Sequence, residues 1–293
     1  MKNFEYNLYN PKHIKKLLSE HGFFVSKSLG QNFLINSSVG SKMAKMSGAE
    51  DGFVLEIGPG IGALTKELAK ISKKVCSVEI DSRLIPILKK TLFGFKNVEI
   101  INEDILKTDI KTLIREKSDG MKAVVCANLP YYITSPIIMR LLELDLGVKA
   151  ITVMVQKEAG RRICAEPGRR ECGAISLAVR YYSTPRLLFD LPSSSFFPKP
   201  DVDSSVIRLE INQVAPVEIK NRDGFFRLVR AAFSQRRKIL INPVASSFNI
   251  SKDHLRNILL NLKIPLSARA EQLSLEQFAN ISNSIENFPH IRK

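Results

Sequence analysis

The sequence predicts an α/β protein: a mainly parallel sheet with helices on both faces, followed by a small all-helical C-terminal domain. Three observations carry this. Short apolar or β-branched runs alternate with segments of helical spacing from about residue 50 to about 210. A glycine-rich turn, Gly58-Pro59-Gly60-Ile61-Gly62, follows directly on one of these runs. Beyond a polar, Pro-containing stretch at 213–216, the apolar period is helical to the end.

In order, residues 53–57, 74–78, 98–101, 123–127 and 150–155 read as buried strands, and 64–71, 84–92, 110–116 and 136–144 as the intervening helices. Residues 187–191 and 205–211 add later strands, and the polar/apolar alternation across 204–211 suits a sheet edge. The tail reads as roughly four short helices by period. In the first of them Phe225, Phe226, Leu228, Val229, Ala232 and Phe233 are apolar among several arginines. The expected division is a catalytic domain over 1–212, whose basic first 46 residues form a separate segment, and a helical domain over 213–293.

Composition narrows the function. At 293 residues and 44% hydrophobic content the chain can bury a sizeable core, which argues against disordered and fibrous classes. Its 44 Lys and Arg against 29 Asp and Glu leave a net charge of +15, which draws a polyanion; nucleic acid comes first and an acidic membrane surface second. No run is long enough for a membrane span and the amino terminus lacks the apolar stretch of a signal peptide, so a reducing cytoplasm is expected. Cys76, Cys126, Cys164 and Cys172 have no metal-ligand spacing and read as reduced and mostly structural; the four histidines have no partner pattern, and no metal is expected.

Two motifs suggest chemistry. The turn at Gly58 and Gly60 lets a ligand approach the backbone, and Glu79, about twenty residues on, suits a ribose diol. A nicotinamide dinucleotide meets both requirements. Two features favour S-adenosylmethionine instead. Asp104, after the third strand, stands where an adenine amino group needs an acceptor, although a helix cap would place an Asp there too. Asn128-Leu129-Pro130-Tyr131, after the fourth strand, has no role in hydride transfer but suits an aromatic amine. The lone pair of such an amine is delocalised into its ring. The Asn128 side-chain oxygen and the Leu129 carbonyl can accept its two protons and draw the nitrogen toward sp³, while Pro130 fixes the turn and Tyr131 offers a flat face to the base.

With these motifs in order, the chain resembles the ribosomal RNA adenine N6-dimethyltransferase family, in particular its bacterial small-subunit branch, over nearly its whole length. The resemblance implies a Rossmann-like S-adenosylmethionine-dependent methyltransferase fold. Lys27-Ser28-Leu29-Gly30-Gln31-Asn32-Phe33-Leu34, which local sequence alone places in a loop, is similar to the segment that closes over the methionine end of the cofactor through Asn32 and Leu34. Gly58, Gly60, Glu79 and Asp104 match the remaining cofactor positions, and Asn128 stands at both cofactor and target. Phe196, in Phe196-Phe197-Pro198-Lys199-Pro200, matches a position that sandwiches the target base; by its own local chemistry it reads more readily as a core anchor.

The implied activity is methyl transfer to N6 of two adjacent adenosines in a loop near the 3' end of small-subunit (16S) rRNA, giving N6,N6-dimethyladenosine, with a role in ribosome biogenesis. The substrate is the small subunit or its precursor, and the chain is expected to act as a monomer. Expected RNA contacts are Lys12, Lys15, Lys16 and Lys27, then Arg161, Arg162, Arg169 and Arg170, then Arg236, Arg237 and Lys238. The competing readings are the large-subunit enzyme of the macrolide-resistance type and a non-catalytic assembly or transcription factor on the same fold. Gly30 to Leu34, Tyr131-Tyr132 and the basic tail favour the small-subunit branch.

Overall fold

The computed structural model describes residues 6–26, 29–235 and 238–286; Lys27, Arg236 and Arg237 lie outside them. The strands are β1 (Phe33–Leu34), β2 (Phe53–Ile57), β3 (Lys74–Glu79), β4 (Val98–Asn102), β5 (Ala123–Asn128), β6 (Ala150–Gln156), β7 (Ser183–Leu191), β8 (Phe196–Phe197) and β9 (Ser204–Ile211). The helices are α1 (Pro11–Glu20), α2 (Ser37–Met46), α3 (Ala63–Ala69), α4 (Ile85–Thr91), α5 (Ile110–Lys117), α6 (Thr134–Glu143), α7 (Lys157–Cys164), α8 (Ala174–Tyr182), α9 (Arg222–Phe233), α10 (Ile241–Phe248), α11 (Lys252–Asn261) and α12 (Leu275–Glu286).

Seven strands form one sheet in the order β4-β3-β2-β5-β6-β9-β7. The pairs from β4 to β6 are parallel, and β9 returns antiparallel to β6. Every residue of β2 is buried, as are all of β5 and β6 except the last of each. That is why these strands read as mainly apolar runs, Glu56 and Thr152 apart: helices cover both faces of a parallel sheet. The chain steps outward through β2, β3 and β4, then returns to place β5 on the other side of β2. This reversal opens a crevice at the carboxyl ends of β2 and β5, where open α/β sheets bind their ligands.

One core cluster joins Val54, Val75 and Val124 of the sheet to Met43, Leu64 and Leu68 of α2 and α3, with Leu34 and Phe196 at its margin. A second is built from Ile14 and Leu17 of α1 and Leu84, Ile87 and Leu88 around α4, and it includes Phe33 and Ile61. The basic amphipathic start is thus α1, begun by Pro11 and by the Asn10 side chain, which accepts from the Lys12 amide at 2.9 Å. Its apolar stripe is buried while Lys12, Lys15 and Lys16 face outward. Outside the large sheet, β1 and β8 pair antiparallel, Phe33 with Phe197 and Leu34 with Phe196.

The chain divides into two compact units, Met1–Gly160 with Arg186–Ile211, and Arg161–Pro185 with Asn212–Lys293. Residues 161–185 therefore group with the tail helices and not with the first 160 residues. Tyr181 and Tyr182 pack against Phe225 and Phe226 of α9 with ring centroids 5.5–5.6 Å apart, and the Gly168 amide donates to the Glu271 carbonyl at 2.7 Å. Apolar period shows that a helix has a buried face but not which core receives it. Among the described residues the tail contains the four helices α9 to α12, with Phe225 and Phe278 fully buried and Phe233 stacked on Phe278 at 6.1 Å.

Candidate active site

Five stretches far apart in sequence line one cleft at the crevice: residues 29–34, 57–61, 78–80, 103–105 and 128–133. The loop after β2 is held by the Gly58 amide, which donates to the Val78 carbonyl at 2.9 Å, and the Gly60 amide, which donates to Glu79 Oε2 at 3.2 Å. Gly58 and Gly60 both have left-handed backbones, φ 67° and 59°. A Cβ on Gly58 would meet nothing within 4 Å, so the backbone there faces open cleft; one on Gly60 would lie 3.1 Å from the Phe33 ring. Gly60→Ala therefore combines left-handed strain of about 1–2 kcal/mol with displacement of β1. Calorimetry should show cofactor affinity falling roughly tenfold or more, on the scale where 1.4 kcal/mol is tenfold.

Glu79 ends β3 and is 4% exposed. Its Oε1 accepts from the Asp81 amide at 2.9 Å and its Oε2 from Gly60, and each oxygen keeps a lone pair for a further donor. Burial pushes the carboxyl up to about 7 against these amide bonds. Glu56, within β2, is fully buried and is pushed up to about 7 for the same reason, although Ser77 donates to it at 2.7 Å. Between their ordinary value of about 4.5 and about 7, these two acids hold protons in the folded chain that they lose in the unfolded one. Their contribution to stability therefore declines as pH rises through that window. Affinity for a ligand that donates to the Glu79 carboxylate runs the other way. It should increase from about pH 6 to about pH 8 with proton release on binding, and Glu79→Gln should flatten that profile in calorimetry.

Asp104 follows β4. Its Oδ1 accepts from the Leu106 amide at 2.9 Å, so the cap-like role open to it from sequence is present, and Oδ2 lies 3.9 Å from Lys107 Nζ. Arg140 of α6 donates to the Thr108 carbonyl at 3.0 Å, and the single proton of the Thr108 hydroxyl is shared between Glu103 and the Asp104 carbonyl, both at 2.9 Å. These bonds fix the loop that carries Asp104 into the cleft.

The Asn128-Leu129-Pro130-Tyr131 turn leaves the end of β5. The Leu129 amide donates to the Met154 carbonyl of β6 at 3.2 Å, and the Pro130 carbonyl accepts from the Ile133 amide and the Thr134 hydroxyl. Asn128 Nδ2 donates to the Asn32 backbone carbonyl at 3.0 Å. A carbonyl can only accept, so this bond sets which way the amide faces and leaves Oδ1 as the free acceptor. The Tyr131 hydroxyl bonds Ser204 Oγ of β9 at 2.6 Å, which anchors the ring by its far end.

The sequence profile of the ribosomal RNA adenine dimethylase family matches residues 22–287. The chain belongs to that family. A relative in Alkaliphilus oremlandii, the ribosomal RNA small subunit methyltransferase A, is 44% identical over 278 residues, covering 94% of this chain and 97% of its own. Among solved structures, a dimethyladenosine transferase from Plasmodium falciparum superposes with a TM-score of 0.71 at 27% identity, over 85% of this chain and 95% of that one. The 23S rRNA methyltransferase ErmE superposes with a TM-score of 0.68 over 87% of this chain and 100% of its own; at 23% identity the likeness is one of fold. This dimethylase-family chain is accordingly an enzyme that methylates ribosomal RNA, with S-adenosylmethionine as its methyl donor.

Within the dimethylase cleft, Asn32, Leu34, Gly58, Gly60, Glu79, Asp104, Asn128, Leu129, Pro130 and Tyr131 all line one wall or another. Phe196 does not. It is 2% exposed in the core cluster with Leu34, Val39 and Met154, the anchor position its local chemistry indicates, and it supports Leu34 through the β1–β8 pairing. Arg161 and Arg162, like Lys238, are exposed in the helical unit.

Gln31 is a site residue that sequence reasoning missed. It donates to Asp81 Oδ2 at 2.8 Å and accepts from the Ser26 amide, so the 29–34 segment is tied to the carboxylate next to Glu79. Its local signal is its place in the 27–34 segment, in which the resemblance assigns roles to Asn32 and Leu34 alone. All four cysteines are free thiols, three of them buried. Among the described residues no cluster of His, Cys, Asp or Glu could hold a metal ion, and no helix is long and apolar enough to cross a membrane.

Proposed function

We propose that the chain dimethylates N6 of two adjacent adenosines in a loop near the 3' end of small-subunit (16S) rRNA, producing N6,N6-dimethyladenosine during small-subunit biogenesis in the cytoplasm, and that it acts as a monomer. The observation that carries the reading is the Asn128–Asn32 bond, because it leaves one oriented oxygen acceptor at the end of β5. The residues present fit the donor: Glu79 offers spare acceptor capacity to a ribose diol, Asp104 Oδ2 to an adenine amine, and the backbone at Gly58 is open to close approach. Asn32 and Leu34 cover the methionine end. When bound, S-adenosylmethionine supplies an electrophilic methyl group.

Asn128 Oδ1 and the Leu129 carbonyl accept the two protons of the target amine, which brings its nitrogen lone pair out of conjugation. Tyr131 stacks on the base, and Phe196 acts through Leu34 behind it. No general base is required, since the amine becomes acidic once methylated and its proton passes to water. Positioning then supplies most of the rate. A paired adenosine hides its reactive edge, so the target is unpaired or flipped. Arg161, Arg162 and Lys238, with Lys27, Arg236 and Arg237, provide phosphate contacts whose strength falls with salt.

Labelled S-adenosylmethionine offered separately to unmethylated small and large subunits tests this reading, with the product nucleosides identified by mass. Dimethyladenosine in the small subunit is the expected product. Label only in the large subunit, or in neither while cofactor binds, would reject the reading.

A further inference from the structure

Tyr132 lines the same cleft, yet the roles assigned above leave it unused, and 57% of it is exposed. It follows Tyr131 in a single 3-10 turn, Tyr131–Ile133. Successive residues of such a turn project about 120° apart, at three residues per turn, so the two rings cannot face the same base. They are also held differently. Tyr131 is drawn inward by its hydroxyl bond to Ser204, whereas Tyr132 leans on glycine backbone. Gly30 has φ +58°, and a Cβ there would lie 3.3 Å from Tyr132 Cδ1 and 3.6 Å from Pro130 Cβ, so the ring lies closely against the Gly30 backbone. A large ring held in place beside a cleft, with more than half its surface uncovered, is a stacking platform awaiting a partner.

Resting on the proposed function, we infer that Tyr132 stacks on the base next to the target adenosine, so that the enzyme grips two consecutive unpaired bases with two consecutive tyrosines facing different ways. The class of ligand is a purine or pyrimidine in a single-stranded loop, recognised by its π-face and without regard to its edge. The arrangement suits a substrate with two adjacent targets: whichever adenosine occupies the Asn128 pocket, a neighbour is available for Tyr132. Tyr132 is a positioning residue for the RNA and takes no part in the transfer itself.

Three readouts on the full-length enzyme decide the matter: kcat/KM for unmethylated small subunits, affinity for S-adenosylmethionine alone, and affinity for a loop-sequence RNA oligonucleotide with or without an abasic site beside the target adenosine. Loss of one stacked base predicts that Tyr132→Ala lowers kcat/KM roughly 5- to 100-fold, with cofactor affinity unchanged and Tyr132→Phe close to wild type. The abasic site should weaken binding to the wild type and have little further effect on Tyr132→Ala. Unchanged kcat/KM in Tyr132→Ala would overturn the inference. So would a parallel loss of cofactor affinity, which would make Tyr132 a brace for the Gly30 segment. A wild-type enzyme that fails to methylate small subunits at all would instead reject the proposed function.

Discussion

Asn128→Ala is expected to lower the rate of methyl transfer about 100- to 1000-fold, the range for removing one preorganised polar group from a reacting centre. Affinity for S-adenosylmethionine should fall only a few-fold. The split follows from the two ends of the side chain. Oδ1 is the acceptor proposed to orient the amine, so its loss should be felt in turnover. Nδ2 is bonded to the Asn32 carbonyl, and its loss loosens one contact of the 29–34 segment, which is also held through Gln31 and Asp81. Asn128→Asp separates the ends further. An ionised aspartate has acceptors on both oxygens and would turn one of them toward the Asn32 carbonyl, so cofactor affinity should suffer more than in the alanine variant. Single-turnover rates together with calorimetry check both variants, and equal losses of rate and affinity in Asn128→Ala would show that Asn128 chiefly holds the cofactor.

Glu79→Ala should damage both binding and stability. Removing the carboxylate leaves the Gly60 and Asp81 amides without their acceptor, at about 1–3 kcal/mol for each group left buried and unpaired. Relief of the desolvation that pushes Glu79 up to about 7 offsets part of this, so a net loss of about 1–4 kcal/mol in urea unfolding is expected. Cofactor affinity should drop by about 100-fold or more, because the proposed ribose acceptor and the geometry of the Gly60 turn are lost together. Glu79→Gln keeps the volume and one acceptor, and its stability should lie between those of wild type and Glu79→Ala. If both variants bound cofactor within threefold of wild type, the ribose would have to be held elsewhere.

Much of this was legible in the chain itself, for reasons that differ by element. A parallel strand covered on both faces is buried at nearly every position, so β2, β5 and β6 announce themselves as mainly apolar runs, interrupted within by Glu56 and Thr152. Turns that need particular residues are equally visible: the left-handed positions at Gly58 and Gly60, and the Asn-Leu-Pro-Tyr sequence that begins at the last residue of β5. The charge balance of +15 favours a polyanionic partner whatever the fold. These are local requirements, and each is written in the few residues that meet it.

What only the tertiary structure decided concerns partners distant in sequence. The pairing of β1 with β8 has no local signal, since two-residue strands are set by register with each other and not by period. That pairing buries Phe196 in the core, whereas Tyr131 lines the cleft with its hydroxyl bonded to Ser204. The grouping of residues 161–185 with the tail helices depends on Tyr181 and Tyr182 meeting Phe225 and Phe226, which helical period cannot foresee. The orientation of Asn128 is likewise set by a carbonyl 96 residues away, and the freedom of its Oδ1 follows from that bond alone. The residue types that chemistry requires are chosen locally, but a hydrogen-bond direction is chosen by whatever the fold brings opposite.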